Sequence, residues 1–483
     1  MKRIRIHGWV LLAGLSVAAL EGCVALVGGA AVGGAVVATD RRSTGTQLED
    51  TEIESSVNRA LIDNIPKGAM NVDVTSYDHR VLLAGQVKTA EQRALADTVR
   101  AFLAEKIAPD VRGSDSSGTP LPHAFEKLAE LGIAGLPFPE RYGGAGADYV
   151  TLGLMCEELE YCDTSLRTMV SVHIGLTGCG IYQWGSEEQK QRLLRPLASG
   201  EKLAAFGLTE PDAGSDVAAM RATARRDGDS YVLNGSKIWI SCATQADTFL
   251  VFAKTDPDKG KHGISAFVIE RAAAKDALHT FSLHDKYGVR AGDTGGLSFT
   301  DLRVPAGNRL GEEGEGFYIA MTCLENGRYT VASGATGLIR ACLDASVKYA
   351  KERRTFGTEI GKHQLVQEMI ARMVLAYDAA RLLYLRAGWL KNRGERNTRE
   401  TALAKWYATD AANRAADDAL QIHGAYGFSD EYPVARFLRN SRGSIIYEGT
   451  REIQKIMQAE YALGYRKDKR ARCELPPYRR SDG

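Results

Sequence analysis

A single carboxylate, Glu448, stands on a glycine turn that opens a helix in IIYEGTREIQKIM (Ile445 to Met457). A glutamate before Gly-Thr is ordinarily a capping or surface residue. Held in a dry site it becomes a general base, because burial raises a carboxylate's pKa toward the basicity that proton abstraction needs. A second string, NGSKIWIS (Asn234 to Ser241), ends a strand with an indole, Trp239, and a hydroxyl, Ser241. That indole reads either as a core tryptophan or as a flat apolar platform. FGLTEPDAGSD (Phe206 to Asp216) is a polar, glycine-containing loop entering a β segment. KERRTFG (Lys351 to Gly357) clusters guanidinium groups, which pair with phosphate oxygens or stay solvated. LENGR sets Glu325 and Arg328 at the i, i+3 spacing of a helical ion pair. Each string alone is weak; their order and spacing together are strong.

A large chain must position these groups. Its 483 residues correspond to about three compact units, and 44% hydrophobic content excludes wholesale disorder. Sixty-one basic against 60 acidic residues leave +1, so no nucleic-acid partner is expected. The 8 cysteines show no metal-ligand spacing and no disulfide framework. Leu95, Val99, Leu103 and Ile107 have helical spacing, and helical patterning resumes from Tyr149 to Ser199. From Phe206 to about Glu312 the period becomes two. Asp227-Gly228 and Asn234-Gly235 read as hairpin turns, and Phe249 to Ala253, Ile264 to Ile269 and Leu297 to Val304 as strands. After Gly316 the chain is helical again, with Leu365, Met369, Met373 and Tyr377 predicted on one buried stripe. No G-x-G-x-x-G opens a βαβ unit, so a Rossmann site is not expected.

On these strings, together with QIHGAYGFSDEYPVAR (Gln421 to Arg436), the chain from Thr89 to Lys469 resembles the acyl-CoA dehydrogenase family. The resemblance implies a mainly α fold with a central β-domain: a helical domain (89–203), a β-barrel-like domain (204–312) and a C-terminal four-helix bundle (313–469), then a tail (470–483). It implies FAD as cofactor, an acyl-CoA substrate, electron-transfer flavoprotein as acceptor and a homotetramer. Trp239 then packs on the flavin with Ser241 near N5, while Phe206, Leu208 and Thr209 follow the ring edge and Gly214 and Ser215 shape the loop. Arg353, Thr355 and Phe356 reach the cofactor of another subunit, and Gln421, Gly424, Thr450 and Glu452 complete its site. Glu448 is the catalytic base, giving a trans-2-enoyl-CoA, with the backbone N–H of Glu448 among the donors to the thioester carbonyl. Ser215, Glu325, Arg328 and Gly449 correspond to substrate contacts. Some relatives carry the base just before an Arg that matches Arg328; here that position is Gly327.

The acyl group stays open between two readings. ELEYCDTSLRTMVSVH resembles glutaryl-CoA dehydrogenases, in which Glu160 and Arg167 correspond to residues meeting a distal carboxylate. Glu160, Asp163 and Arg167 also read as a solvated salt-bridge row, consistent with a plain short chain. An acyl-CoA oxidase and a non-catalytic envelope lipoprotein are the further alternatives. Arg451, Ala425 and Gly292 depart from the family's usual Ser, Gly and Ser.

The N-terminus carries a different signal. Lys2, Arg3 and Arg5, the apolar run Trp9 to Leu20 and Cys23 resemble a lipoprotein signal within an apolar leader (1–39). Residues 40–88 resemble part of a BON-domain envelope lipoprotein, with Ile53, Val57, Ala60 and Leu61 on one helical face and a turn at Asp78-His79. The leader implies a membrane tether, or else is a misassigned start or an unused fusion; the cofactor and substrate imply a cytoplasmic catalytic portion.

Overall fold

The computed structural model describes residues 90–467, the strands 71–77 and 80–86, and residues 49, 51–53, 55 and 56. The lipoprotein-like leader, Val57, Ala60, Leu61, the Asp78-His79 turn and the tail expected over 470–483 lie outside the described residues. The chain divides into two compact units, Met1–Arg93 and Ala94–Gly483. In the first, β1 (Asn71–Tyr77) pairs antiparallel with β2 (Arg80–Gln86), Tyr77 opposite Arg80.

Helix α1 (Ala90–Lys106) runs across the boundary between the units, and α2 (Ala108–Ser117), α3 (Ala124–Glu130), α4 (Tyr149–Cys162) and α5 (Thr164–Val170) follow in the second. Asp148 starts α4 by accepting the Thr151 N–H at 2.7 Å, and Asp163 starts α5 by accepting the Ser165 N–H at 2.8 Å. The helix then widens into a π-helical stretch, Ser171–Gly178, entirely buried, before α6 (Cys179–Trp184). His173 fastens this stretch: its Nδ1 accepts the Ala204 N–H and its Nε2–H donates to Leu197 O, each at 3.1 Å. With both nitrogens occupied it is a clip between elements.

The central sheet has eight strands: β3 (Ala204–Gly207), β4 (Thr223–Asp227), β5 (Ser230–Ser241), β6 (Thr248–Lys254), β7 (Ile264–Glu270), β8 (Leu278–Ser282), β9 (Thr294–Pro305) and β10 (Arg309–Leu310). Its order is β10-β7-β6-β4-β5-β9-β8, and β3 adds to β6 in parallel. Period-two alternation fails in β6 and β7 because both faces are covered, which selects continuous apolar runs. Asp227-Gly228 does connect β4 to β5, but Asn234-Gly235 is no turn. It lies inside β5 at a β-bulge against β9, where a Cβ on Gly235 would stand 2.7 Å from the Ala222 Cβ.

The bundle follows: α7 (Gly316–Glu352), α8 (Gln364–Asn392), α9 (Thr398–His423), α10 (Val434–Ser444) and α11 (Arg451–Ala462). Small residues bring helices close; a Cβ on Gly337 of α7 would sit 1.9 Å from the Glu157 carbonyl of α4. Between α7 and α8, β11 (Arg354–Thr355) and β12 (Thr358–Glu359) form a hairpin whose two-residue turn, Phe356-Gly357, has φ of 50° and 77°. The stripe expected along α8 is only partly buried: Met373 is covered, but Leu365 is 79% exposed. In the first turn of α8 it is the neighbouring Val366, not Leu365, that packs against the bundle core.

Candidate active site

Glu448 lies in the turn between α10 and α11, at φ 53°, followed by Gly449 at φ 92°. A left-handed glutamate is strained and persists only where its surroundings over-determine it. Those surroundings are specific. Ser171 of the π-helical stretch donates to Oε1 at 2.7 Å, and the Ser171 hydroxyl is itself 2.7 Å from that of Thr330 on α7. Oε2 is closed off from solvent and has no partner among the described residues. Burial raises the Glu448 carboxyl above its ordinary range, against the pull of Arg167, Ser171, Lys405 and Arg328. A Cβ on Gly327 would stand 2.0 Å from Oε2. The absence of a side chain at 327 is therefore a condition for the Glu448 carboxylate to occupy this place.

The expected salt-bridge row on α4 and α5 is not a solvated one. Glu160 and Arg167 are both fully buried and paired at 2.6 Å (Nε to Oε2), and a Cβ on Gly334 of α7 would crowd them at 2.2 Å. Asp163 turns away to Arg436 at 2.7 Å. Arg167 continues to the Tyr447 hydroxyl beside the base, with its guanidinium 5.2 Å from that ring's centre. Burial opposes its charge, but Glu160 and Tyr447 outweigh it and hold the guanidinium protonated. Its Nη1 is buried without an acceptor among the described residues. Two polar atoms of opposite character, Arg167 Nη1 and Glu448 Oε2, are therefore left buried and without partners among the described residues.

Two further cations back the turn. Arg328 of α7 is buried and donates through Nε to the Glu448 carbonyl at 3.3 Å. Lys405 of α9, wholly buried, donates to the carbonyls of Tyr447 at 2.9 Å and Gly449 at 2.8 Å. Burial draws the Lys405 ammonium down to about 7, with Glu448 pulling the other way. Sequence reasoning missed Lys405, Ser171 and Thr330, which carry no local signal.

Glu325 faces Arg396 at 3.1 Å and Thr398 rather than Arg328, so the helical ion pair expected within LENGR is replaced by one to α9 and its approach. Gly449 is crowded by Gln454 and Arg328, which a side chain there would strike.

The aromatic strings occupy the sheet and the bundle's margin. Trp239 sits at a second bulge of β5, at φ 62°, and is 62% exposed: the bulge aims the indole out of the sheet. The Ile238 N–H donates to the Thr209 carbonyl at 2.9 Å, so the string holding Phe206, Leu208 and Thr209 lies beside the one holding Trp239. Phe206 and Leu208 are buried, Thr209 is half-buried, and Gly214 and Ser215 are exposed. Ser241 opens on a cleft lined also by Leu166, Met169, Cys242 and Thr294. Arg353 reaches over the Tyr426 ring at 5.8 Å, joining KERRTFG to QIHGAYGF. Phe356 is 98% exposed at its hairpin tip, while Thr355 Oγ1 lies 3.1 Å from His363 Nε2. Gln421 and Gly424 are exposed at the end of α9. Thr450 caps α11 through the Ile453 N–H, and exposed Glu452 pairs with Arg451 at 2.8 Å. Among the described residues no hydrogen bond or ion pair links the Arg353 and Gln421 strings to Trp239 or Glu448.

Family models match the chain in consecutive pieces: acyl-CoA dehydrogenase N-terminal domain over residues 89–201, middle domain over 205–302 and C-terminal domain over 314–463. A BON domain model matches residues 49–99. The short-chain specific acyl-CoA dehydrogenase of Megasphaera elsdenii is 42% identical over 363 residues, 74% of this chain and 94% of that protein. The glutaryl-CoA dehydrogenase of Desulfococcus multivorans is 42% identical over 384 residues, 79% of this chain and 98% of that protein. The solved butyryl-CoA dehydrogenase of Megasphaera elsdenii superposes with a TM-score of 0.76 at 40% identity, covering 78% of this chain and 99% of its own. The chain, with a BON domain ahead of its helical and sheet domains, belongs to the acyl-CoA dehydrogenase family of oxidoreductases acting on acyl-CoA.

Proposed function

We propose that the protein is an FAD-dependent dehydrogenase of short acyl-CoA thioesters, giving the trans-2-enoyl-CoA. Glu448 removes the proton α to the thioester carbonyl as a hydride leaves the β carbon; the pair freed at the α carbon closes the new double bond. The observation that carries this reading is Glu448 Oε2, buried and unpartnered on a strained turn between Arg167 and Lys405. FAD supplies the acceptor of the hydride. The chain fits that group: Trp239 offers a flat apolar face that the core does not use, with Ser241, Phe206, Leu208 and Thr209 beside it. Gly214 and Ser215 would shape its loop, and Thr450 and Glu452, at the start of α11, would complete its site. Arg353, Thr355, Phe356, Gln421 and Gly424 would hold the diphosphate end for a second copy in a homotetramer. Electrons then pass to electron-transfer flavoprotein in the cytoplasm.

A second reading, glutaryl-CoA as substrate, is favoured by the buried, acceptor-free Nη1 of Arg167, which a distal carboxylate would satisfy. Anaerobic addition of butyryl-CoA and then glutaryl-CoA to the yellow protein separates the two by which one removes the flavin absorbance. Bleaching by neither overturns both. Glu448→Gln is expected to keep FAD and slow bleaching by about 10²–10⁴-fold.

A further inference from the structure

Three consecutive carbonyl oxygens behind the Glu448 turn are held by buried side chains. Lys405 Nζ donates to Tyr447 O at 2.9 Å and to Gly449 O at 2.8 Å, and Arg328 Nε donates to Glu448 O at 3.3 Å. Gln454 Nε2 adds a donor to Gly449 O at 3.1 Å. Neither cation has a carboxylate within ion-pair distance among the described residues. A buried ammonium without a counter-ion is costly; Lys405 has no contact with solvent, and Arg328 is buried. The carbonyl oxygens are the polar groups that make the burial of Lys405 tolerable, so the chain and the cation constrain each other.

That constraint has a direction. In a trans peptide the C=O of one residue and the N–H of the next point oppositely across the bond. Drawing Tyr447 O to Lys405 therefore turns the Glu448 N–H away from Lys405, and drawing Glu448 O to Arg328 turns the Gly449 N–H away from Arg328. Among the described residues the amides of Glu448 and Gly449 donate to no acceptor. The left-handed φ of Glu448 keeps the turn in this orientation, and Gly449 has no room for a side chain against Gln454 and Arg328.

We propose that Lys405 is a positioning residue: with Arg328 it locks the peptide planes from Tyr447 to Thr450 so that the Glu448 N–H is presented to the thioester carbonyl. The inference rests on the reading of Glu448 as the base and explains why that base occupies a strained turn. One short segment delivers both the carboxylate that takes the proton and the amide that polarises the neighbouring carbonyl. Preorganised donors of this kind matter most where charge develops in the transition state.

The test uses the FAD-loaded protein and butyryl-CoA labelled with ¹³C at the thioester carbonyl. In Glu448→Gln, which slows turnover but keeps Lys405, the infrared C=O stretch of the bound thioester is expected at lower frequency than in free butyryl-CoA. Adding Lys405→Met is expected to return most of that shift; adding Lys405→Arg is expected to retain it. In the otherwise wild-type protein, Lys405→Met is expected to lower kcat by about 10²-fold with KM changed less than about threefold. An unshifted stretch in Glu448→Gln alone overturns the proposal even if every Lys405→Met protein fails to fold. A stretch that is shifted equally with and without Lys405 also overturns it. Turnover by Glu448→Gln at the wild-type rate would instead sink the assignment of the base, a separate failure read in a separate assay.

Discussion

At Glu448 two effects oppose each other: burial raises the carboxyl, and Arg167 leads the groups that lower it. A base acts in its ionised form, so kcat/KM is expected to rise with pH through this raised pKa and then level. Removing the Arg167 charge takes away the principal lowering influence and shifts that limb to higher pH. Because Arg167 alone cannot be removed without stranding buried Glu160, the variant is the pair Glu160→Gln with Arg167→Gln. A pH–rate profile whose acid limb stays put or moves down would sink this account of the site's electrostatics. Gly327 makes a geometric prediction at the same carboxylate. Gly327→Ala puts a methyl 2.0 Å from Oε2, so the carboxylate must move, and kcat is expected to fall about 10²-fold while FAD content is kept. Glu448, Arg167 and Trp239 were legible because their residue types stand out in their strings. Lys405 was not. In TALAKWYATD it reads as one lysine on a helix, and the carbonyls it holds lie 42 and 44 residues away.

The elements were legible from their apolar runs, and the finer pattern failed where tertiary packing removed the contrast between a wet and a dry face. Strands β6 and β7 stand where Phe249 to Ala253 and Ile264 to Ile269 were expected, but they are buried on both faces up to their last residue and so lack the period of two, and Asn234-Gly235, a hairpin signature locally, becomes a bulge because β5 runs on against β9 past it. The same logic hides the use of the Trp239 bulge: a one-residue register shift turns a strand tryptophan outward. The π-helical stretch carries a testable element-scale consequence through His173. Burial lowers its pKa from the ordinary 6.5 to about 4, so the unfolded chain takes up the proton first as pH falls. The stability contributed by the neutral ring is fully present above about 6.5 and is lost as pH drops toward about 4, up to about 3 kcal/mol. His173→Gln is expected to lower the melting temperature at pH 7 and flatten the decline between pH 6.5 and 4. Circular dichroism melts across that range decide it, and an unchanged acid slope would remove His173 as the titrating clip.

At the scale of the molecule, α8 leaves an apolar surface that nothing in the described chain covers. Leu375, Leu382 and Trp389 recur every seven residues and are 69%, 45% and 52% exposed, so they share one stripe of the helix. The opposite side of α8 buries Met373, Ala380, Tyr384 and Ala387 against the rest of the bundle, which assigns the two faces separate jobs. A contiguous exposed stripe of this kind marks an interaction surface more than scattered single residues do. The homotetramer proposed above is the occupant that also gives the exposed Phe356 hairpin and Arg353 a cofactor to meet, since they make no bond to the Trp239 strings within one chain. Leu375→Glu with Leu382→Glu places two carboxylates on the stripe without touching the buried face. Light scattering is expected to show the wild-type protein as a tetramer and this variant as a smaller species, with helical content unchanged and bound FAD reduced. A variant that keeps both its mass and its flavin would detach α8 from the assembly and require another surface to complete the cofactor site.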